Sequence, residues 1–552
     1  MTKETGTLIV PSTIAAAIAL ACVSMAAADA ATIDTGNPEI ELRWDNTIRY
    51  NAGVRTEGIN RAFYNNPQYD ETEGRFKRGD LITNRIDVLS ELDLVYQNSY
   101  GFRLSGAAWA DGAYGAHSIT NPALQAPGNY VGGKYNNYAR RYLVGPSGEI
   151  LDAFVFGRFD VGSTAVNLKL GQHTVYWGES LFSVGNSIAY SQGPVDTIKA
   201  ATSPGVEAKE LFLPQKQISA QAQLTNNVSV AAHYAFEWNP YRLVAGGTYF
   251  AAGDAVRSDF ATTVPLVIPN GADIVPRSRG DVGANLRWSP EWLGGTAGLY
   301  YRKFDEKLPW GVIQLSGTAI PQSARFAFAR GTTLYGLSLS NNVGSLSVGT
   351  ELSYRKDTAL NSNIVVQPAA GEPTYDEIEG ARGNTFHALV NVVYALPKTL
   401  LWRAGAVSAE VGYSRLLSVT RNRNRFNGVG YACPPGRDKR DGCSTRDAWG
   451  INVNFAPAWP QAFPGWDLSL PVILAYQIDG NGAALGGGNE GAVTWAIGVE
   501  GQLYSRYNFS LRYVDARGQY RTDSAGVVTT TNGPNAVRSN HGWLSFTFRT
   551  TF

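Results

Sequence analysis

Hydrophobic and polar residues alternate along this chain with a period of two. In EIELRWDNTIRYNAGVR, Ile40, Leu42, Trp44, Ile48 and Tyr50 interleave with Glu41, Arg43, Asp45, Thr47, Arg49 and Asn51. The next such stretch sets Ile86, Val88, Leu92, Leu94 and Tyr96 against Arg85, Asp87, Glu91 and Asp93. At the far end, Leu544, Phe546, Phe548, Thr550 and Phe552 share one face, and Ser545, Thr547, Arg549 and Thr551 the other. A spacing of two is that of a strand, whose side chains point alternately to its two faces. A face carrying charges of both signs has to meet water. An aromatic face carried to the last residue has to be covered. A barrel in an outer membrane meets both needs, with a polar lumen inside and lipid outside.

Turn signals divide the chain into hairpins. They fall after Tyr96, at Thr225-Asn226-Asn227, from Asn341 to Gly344, and near Ser505-Arg506. These short turns alternate with long polar stretches such as residues 56–81 and 113–148, the asymmetry of short periplasmic turns and long external loops. Trp288, Trp292, Trp459, Trp466, Tyr504 and Tyr507 flank short turns, where an interfacial girdle belongs. The fold expected is therefore all-β: a transmembrane antiparallel barrel of the outer-membrane type, with about 18 strands and 16 as the alternative. A β-sandwich or propeller would bury both strand faces or repeat at a fixed period, and no such repeat is present. Leu544, Phe546, Phe548 and Phe552 also resemble the C-terminal aromatic signature read by the barrel assembly machinery, with Thr550 smaller than usual.

The N-terminus reads as a secretory leader. Lys3 supplies the cationic region, residues 14–23 the apolar run, and Ala28-Asp29-Ala30 the small-x-small cleavage site. Pro11 and the shortness of the run argue against a membrane anchor, and the residues around Cys22 fit a lipidation site poorly. Residues 1–30 are thus expected to be removed, leaving 31–552 as one barrel domain with no room for an N-terminal plug. Charged residues make up 17% of the chain, and the formal charge of +1 suggests no nucleic-acid surface. With Cys22 gone, Cys433 and Cys443 bracket CPPGRDKRDGC and are expected to pair in an oxidising periplasm. By chain entropy such a staple contributes roughly 3 kcal/mol.

One connection differs from ordinary loop filler. The stretch LGQHTVYWGESLFSVGNSIAYSQGPVDTIKAATSPGVEAKELFLPQKQ mixes aromatics, glycines and alternating charges. Its residues 172–216 are read either as a segment folded into the lumen or as an external cover. In the first reading Glu179, Lys199, Glu207, Lys209 and Glu210 line the path, and Tyr176, Trp177 and Phe182 give it an apolar contact surface. LGQHTVYWGES, SPGVEAKELFLP, HYAFEWNPYRL and GTYF together resemble a family of proteobacterial outer-membrane proteins classed as a domain of unknown function. The resemblance implies a barrel over the whole mature chain, encoded near an RND-type transporter and in neighbourhoods for breakdown of hydrophobic or aromatic compounds. It assigns no catalytic residue, so Gly171, Gln172, Trp177, Gly178, Glu179 and Ser180 receive no role from it.

Other chemistry finds little support. His173, Ser180 and Asp196 are triad residue types, but no G-x-S-x-G elbow is present. His117, His233, His387 and His541 are scattered, and no metal or cofactor is expected. Asp479, Asn481 and Glu490 fall at EF-hand-like positions, but Ala483 and Ala484 stand where a ligand and a glycine belong. Arg421, Arg423, Arg425, Arg437, Lys439 and Arg440 form a basic loop, partly offset by Asp438 and Asp441, which could meet lipopolysaccharide phosphates. The function expected is a porin-like channel for passive uptake of small hydrophobic or aromatic molecules. The alternatives are a docking barrel in an envelope transport assembly, with a periplasmic partner, and an outer-membrane esterase or lipase. Enzymatic function is not expected.

Overall fold

The computed structural model describes residues 31–203, 206, 208–263, 266–276, 279–315, 320–367 and 374–552. The expected leader, residues 1–30, lies outside the described residues. The alternating stretches form eighteen antiparallel strands in one closed ring. They are β1 Ile40–Arg55, β2 Leu81–Tyr96, β3 Tyr100–Asp111, β4 Ser147–Val161, β5 Thr164–His173 and β6 Gln215–Thr225. β7 Val228–Ala235, β8 Val282–Trp288, β9 Gly295–Phe304, β10 Thr332–Val343, β11 Leu346–Ala359 and β12 Arg382–Ala395 follow. β13 Ala404–Arg421, β14 Asp447–Phe463, β15 Trp466–Ser469 continued by Val472–Asp479, β16 Val493–Leu503, β17 Tyr507–Arg517 and β18 Trp543–Thr551 complete it.

Each strand pairs with its neighbour in sequence, and β18 pairs back onto β1 with Phe548 opposite Tyr50 and Phe546 opposite Ala52. Phe552 closes the seam: its N–H donates to the carbonyl of Asn46 at 3.0 Å, and its carbonyl accepts from the Asn46 N–H at 2.8 Å. Closure gives the first and last strands partners, as a backbone in hydrocarbon requires. On β1, Asp45, Thr47, Arg49 and Asn51 are buried while Trp44 is exposed, and on β10 Tyr335, Leu337 and Leu339 are exposed. The polar face therefore points inward and the apolar face outward, the arrangement of an outer-membrane barrel.

Three boundaries differ from the sequence reading. β5 runs on to His173 and β6 begins at Gln215, because these flanking residues still pair, His173 opposite Gln215. Asn341 to Val343 belong to β10, opposite Leu346 to Val348, so that turn is tighter than the Asn-rich stretch suggested. The wall is also uneven. β1 and β2 have 16 residues, whereas β7 has 8 and β8 has 7. Strands that short fall below the 9–11 residues that span a bilayer. Beside them, β4 pairs with β5 only from Ala153 to Val161, leaving its first residues without a β5 partner.

The long connections pack together over one end of the ring. Phe76, Tyr114, Tyr130, Tyr135, Ile198 and Tyr249 come from four of them and form one buried core with Trp543. Arg55 ties this cap to the wall, donating to Glu73 at 2.6 Å, while His541 lies 2.8 Å from the same carboxylate. Cys433 and Cys443 are joined by a disulfide in the connection between β13 and β14.

Deleting Phe552 removes both hydrogen bonds to Asn46, worth about 1–3 kcal/mol together. The expected outcome is a folded barrel that opens at a temperature a few degrees lower, read by heat-dependent migration on semi-native gels.

Candidate functional site

Residues 174–214, between β5 and β6, depart from one side of the ring and bond to the inner face of the opposite side. Two wall carboxylates receive them. Glu351 of β11 accepts the N–H groups of Glu179, of Ser180 at 2.9 Å and of Ile188 at 2.6 Å. Glu410 of β13 accepts those of Leu181 at 2.7 Å, Phe182 at 3.1 Å and Ser183 at 2.5 Å, and the Ser180 hydroxyl at 3.3 Å. Wall cations take the carbonyls: Arg302 of β9 donates to Ile188 at 2.6 Å and Tyr190 at 2.8 Å, and Arg355 of β11 to Ser187 at 3.0 Å. The wall charges thus meet main-chain groups that the segment's own turns, such as Asn186 N–H to the Ser183 carbonyl, leave over. Gly178 is required at the entry. Its φ is +109°, and a Cβ there would run into the Glu351 carboxylate.

The predicted pore residues scatter along this strut. The Tyr176 ring sits 4.9 Å from that of Phe212. Trp177 meets the His233 ring at 4.9 Å. The Glu179 carboxylate lies 3.6 Å from Arg287, and Phe182 is exposed. Glu210 pairs with Arg49 on β1, which ties the returning end of the segment to a third part of the wall. Lys199 is buried under the cap, its ammonium 5.6 Å from the Trp109 ring. Lys209 lies in the short helix Ala208–Leu211, and Glu207 lies outside the described residues. Sequence reasoning missed Glu351, Glu410, Arg302 and Arg355. Their one signal was a charge at an inward position of an otherwise ordinary strand.

Beside the strut, against β2–β5, lies a lumenal cavity of about 750 Å³. Phe154, Phe156, Tyr176, Leu181 and Phe212 give it a largely apolar surface. On its polar flank Arg103 gathers Glu91, Asp93 at 2.8 Å and Asp152 at 3.3 Å. On the other side, against β13–β16, a gap of about 180 Å³ is lined by Asn186, Asn452, Gln477 and Asn535.

The triad residue types are not brought together. The His173 ring bonds the Ser219 hydroxyl at 2.7 Å, Ser180 faces Glu410, and Asp196 pairs with Arg242 at 2.6 Å. At the EF-hand-like stretch, the Lys439 ammonium sits 3.1 Å from Asp479 and 2.6 Å from Glu490, and Asn481 donates to the Lys439 and Cys443 carbonyls.

The chain belongs to the family described as Protein of unknown function (DUF1302), whose model matches residues 12–552. No curated protein matches the sequence. Among solved structures, OccAB4 of Acinetobacter baumannii is similar at 10% identity and a TM-score of 0.40, over 94% of this chain and 100% of that one. A BenF-like porin from Pseudomonas fluorescens Pf-5 gives 11% identity and a TM-score of 0.39, over 93% and 98%. OpdK of Pseudomonas aeruginosa, solved with vanillate, gives 9% identity and a TM-score of 0.37, over 93% and 98%. Likenesses this loose bear no functional weight.

Replacing Glu351 and Glu410 together by alanine removes the acceptors of six main-chain N–H groups, each bond to a charged group being worth about 1.5–3 kcal/mol. The expected outcome is a folded barrel in which residues 178–190 become cleavable by added protease. Gly178→Ala should show the same cleavage, more weakly. Resistance equal to wild type in both would show that the strut is held by other contacts.

Proposed function

We propose that the protein is an outer-membrane channel for passive entry of small organic molecules, apolar or aromatic in character. Residues 172–216 act as its inward-folded constriction, and residues 1–30 as its secretory leader. The observation that carries this reading is the lumenal cavity of about 750 Å³. Its size falls within the range of small-molecule sites, and its surface pairs aromatic rings with one charged flank. Of the predicted pore residues, Tyr176 and Glu210 line it. Flow is down a concentration gradient, since no energy-coupling element was recognised in the sequence. The basic loop is read as a solvated one, with Lys439 paired to Asp479 and Glu490, and the family resemblance favours a periplasmic partner and an RND-type transporter.

One observation favours a second reading, a closed barrel that docks within an envelope transport assembly. Arg302, Arg355, His387 and Glu410 on the inner wall are almost completely buried, so much of the lumen is filled.

Conductance in a planar bilayer separates the two readings. The channel reading expects a small wild-type conductance that rises several-fold when residues 178–209 are removed. Two well-folded proteins that both fail to pass ions would overturn the channel and leave docking.

A further inference from the structure

A larger cavity, of about 820 Å³, lies outside the lumen among the external connections. Most of its polar groups are already engaged, Arg257 Nε and Thr262 Oγ1 being the buried atoms without a partner among the described residues. Arg257 donates to Asp273 at 2.7 Å, and Asp254 accepts the N–H groups of Glu71 at 3.0 Å and Thr72 at 2.8 Å. Asp259 accepts from the Val131 N–H at 2.9 Å and the Asn136 amide at 3.2 Å, and Arg325 donates to the Ala272 carbonyl at 2.7 Å. Apart from those two unpartnered atoms, what remains to meet a ligand is the apolar surface of Ile268, Val312, Ile313, Phe326 and Ile364. An anion entering this cleft would lose water and face the Asp254 and Asp259 carboxylates, which form no ion pair among the described residues, whereas an uncharged apolar molecule gains by burial.

The cleft does not end blindly. Tyr138 and Arg257 line both it and a second cavity of about 480 Å³. The Arg257 guanidinium stands 5.5 Å from the Tyr138 ring and 4.9 Å from that of Phe326, on a backbone with φ of +56°. Asp273 supplies its one side-chain hydrogen bond among the described residues. The second cavity follows the edge of β4 that lacks a β5 partner, where the Gln172 side chain donates to the carbonyls of Ile150 at 3.1 Å and Leu151 at 2.6 Å. Leu151 in turn lines both this cavity and the lumenal one. Three cavities thus adjoin in series through shared side chains.

We propose that the external cleft binds a small, uncharged, mainly apolar molecule, and that Tyr138 and Arg257 form the doorway through which it passes along the unpaired edge of β4 to the lumenal cavity. The binding step stands alone; the passage step rests on the channel reading above.

The test is photolabelling of the full mature protein, held in amphipol, with hydroxymethylbenzophenone, followed by mass-spectrometric mapping of the adducts. Adducts on cleft residues such as Ile313 and Phe326, and on Leu151 or Leu213 further along, are expected. Benzoylbenzoate, the charged analogue, should label the cleft roughly tenfold less, and so should the uncharged probe on Ile364→Trp. Ile364 is 61% exposed, so a larger side chain there narrows the cleft without entering the packed core. Adducts confined to the lipid-facing strands, equal labelling by the two probes, or unchanged labelling of Ile364→Trp would each overturn the cleft site. Adducts in the cleft but none at Leu151 or Leu213 would overturn the doorway. Wild-type conductance in the same preparation keeps the two readings apart: failed labelling with current intact sinks this inference alone. Cleft labelling without current sinks the channel and leaves the cleft site standing.

Discussion

A backbone in hydrocarbon has no water to bond to, and this constraint fixes almost everything else in the molecule. It forces closure of β18 onto β1, with Phe552 paired to Asn46 as the last link. Closure divides every strand into an outer and an inner face, so the polar half of each alternating stretch is directed into the ring. Eighteen strands enclose more space than wall side chains fill. The inner wall then presents charges that need either water or a partner, and the connections supply the partner.

The kind of partner is informative. Arg103 is satisfied by carboxylates of the wall itself, in an arrangement the strands hold without help. Glu351 and Glu410 form no ion pair among the described residues and are met by main-chain N–H groups instead. A carboxylate is an acceptor only, so it selects a stretch of chain whose amides converge. The arginines opposite are donors only and select converging carbonyls. Together they form a template that reads backbone shape rather than side chains, and Gly178 is where that shape excludes a Cβ. Breaking one half leaves a buried charge unpaired, which costs more than the bond itself contributed.

The fold was legible because period two is a local property: each residue's face follows from its neighbours at two positions away. The aromatic face that ends at Phe552 and the count of strands both lie within reach of that reasoning. The strut was legible only in outline. Tyr176, Trp177 and Glu179 stand out by composition, but the carboxylate that takes the Glu179 amide lies 172 positions further along, and the one that takes the Leu181 amide 229. Nothing in VGTELSYRK or VSAEVGYSR marks its glutamate as a receptor for a distant amide, since inward charges are common to many strands here. The cavities were beyond reach for the same reason. They are the space left when four or five connections pack, and Arg257 acquires its place between Tyr138 and Phe326 only from that packing.

The strut also divides the lumen into two unlike spaces. The wider one, against β2–β5, is walled by aromatic rings and adjoins the short side of the ring, where the first residues of β4 have no β5 partner. The narrower one, against β13–β16, is walled by amides and glycines. Amides replace water around a hydrated ion or a small polar solute at little cost, and offer little to an apolar one. Aromatic walls do the opposite. On the channel reading, small ions then favour the amide side of the strut and apolar molecules the aromatic side. The same strut borders both spaces, with Ser183 and Asn186 on the amide side and Tyr176 and Leu181 on the aromatic side, so whatever shifts the strut changes both at once.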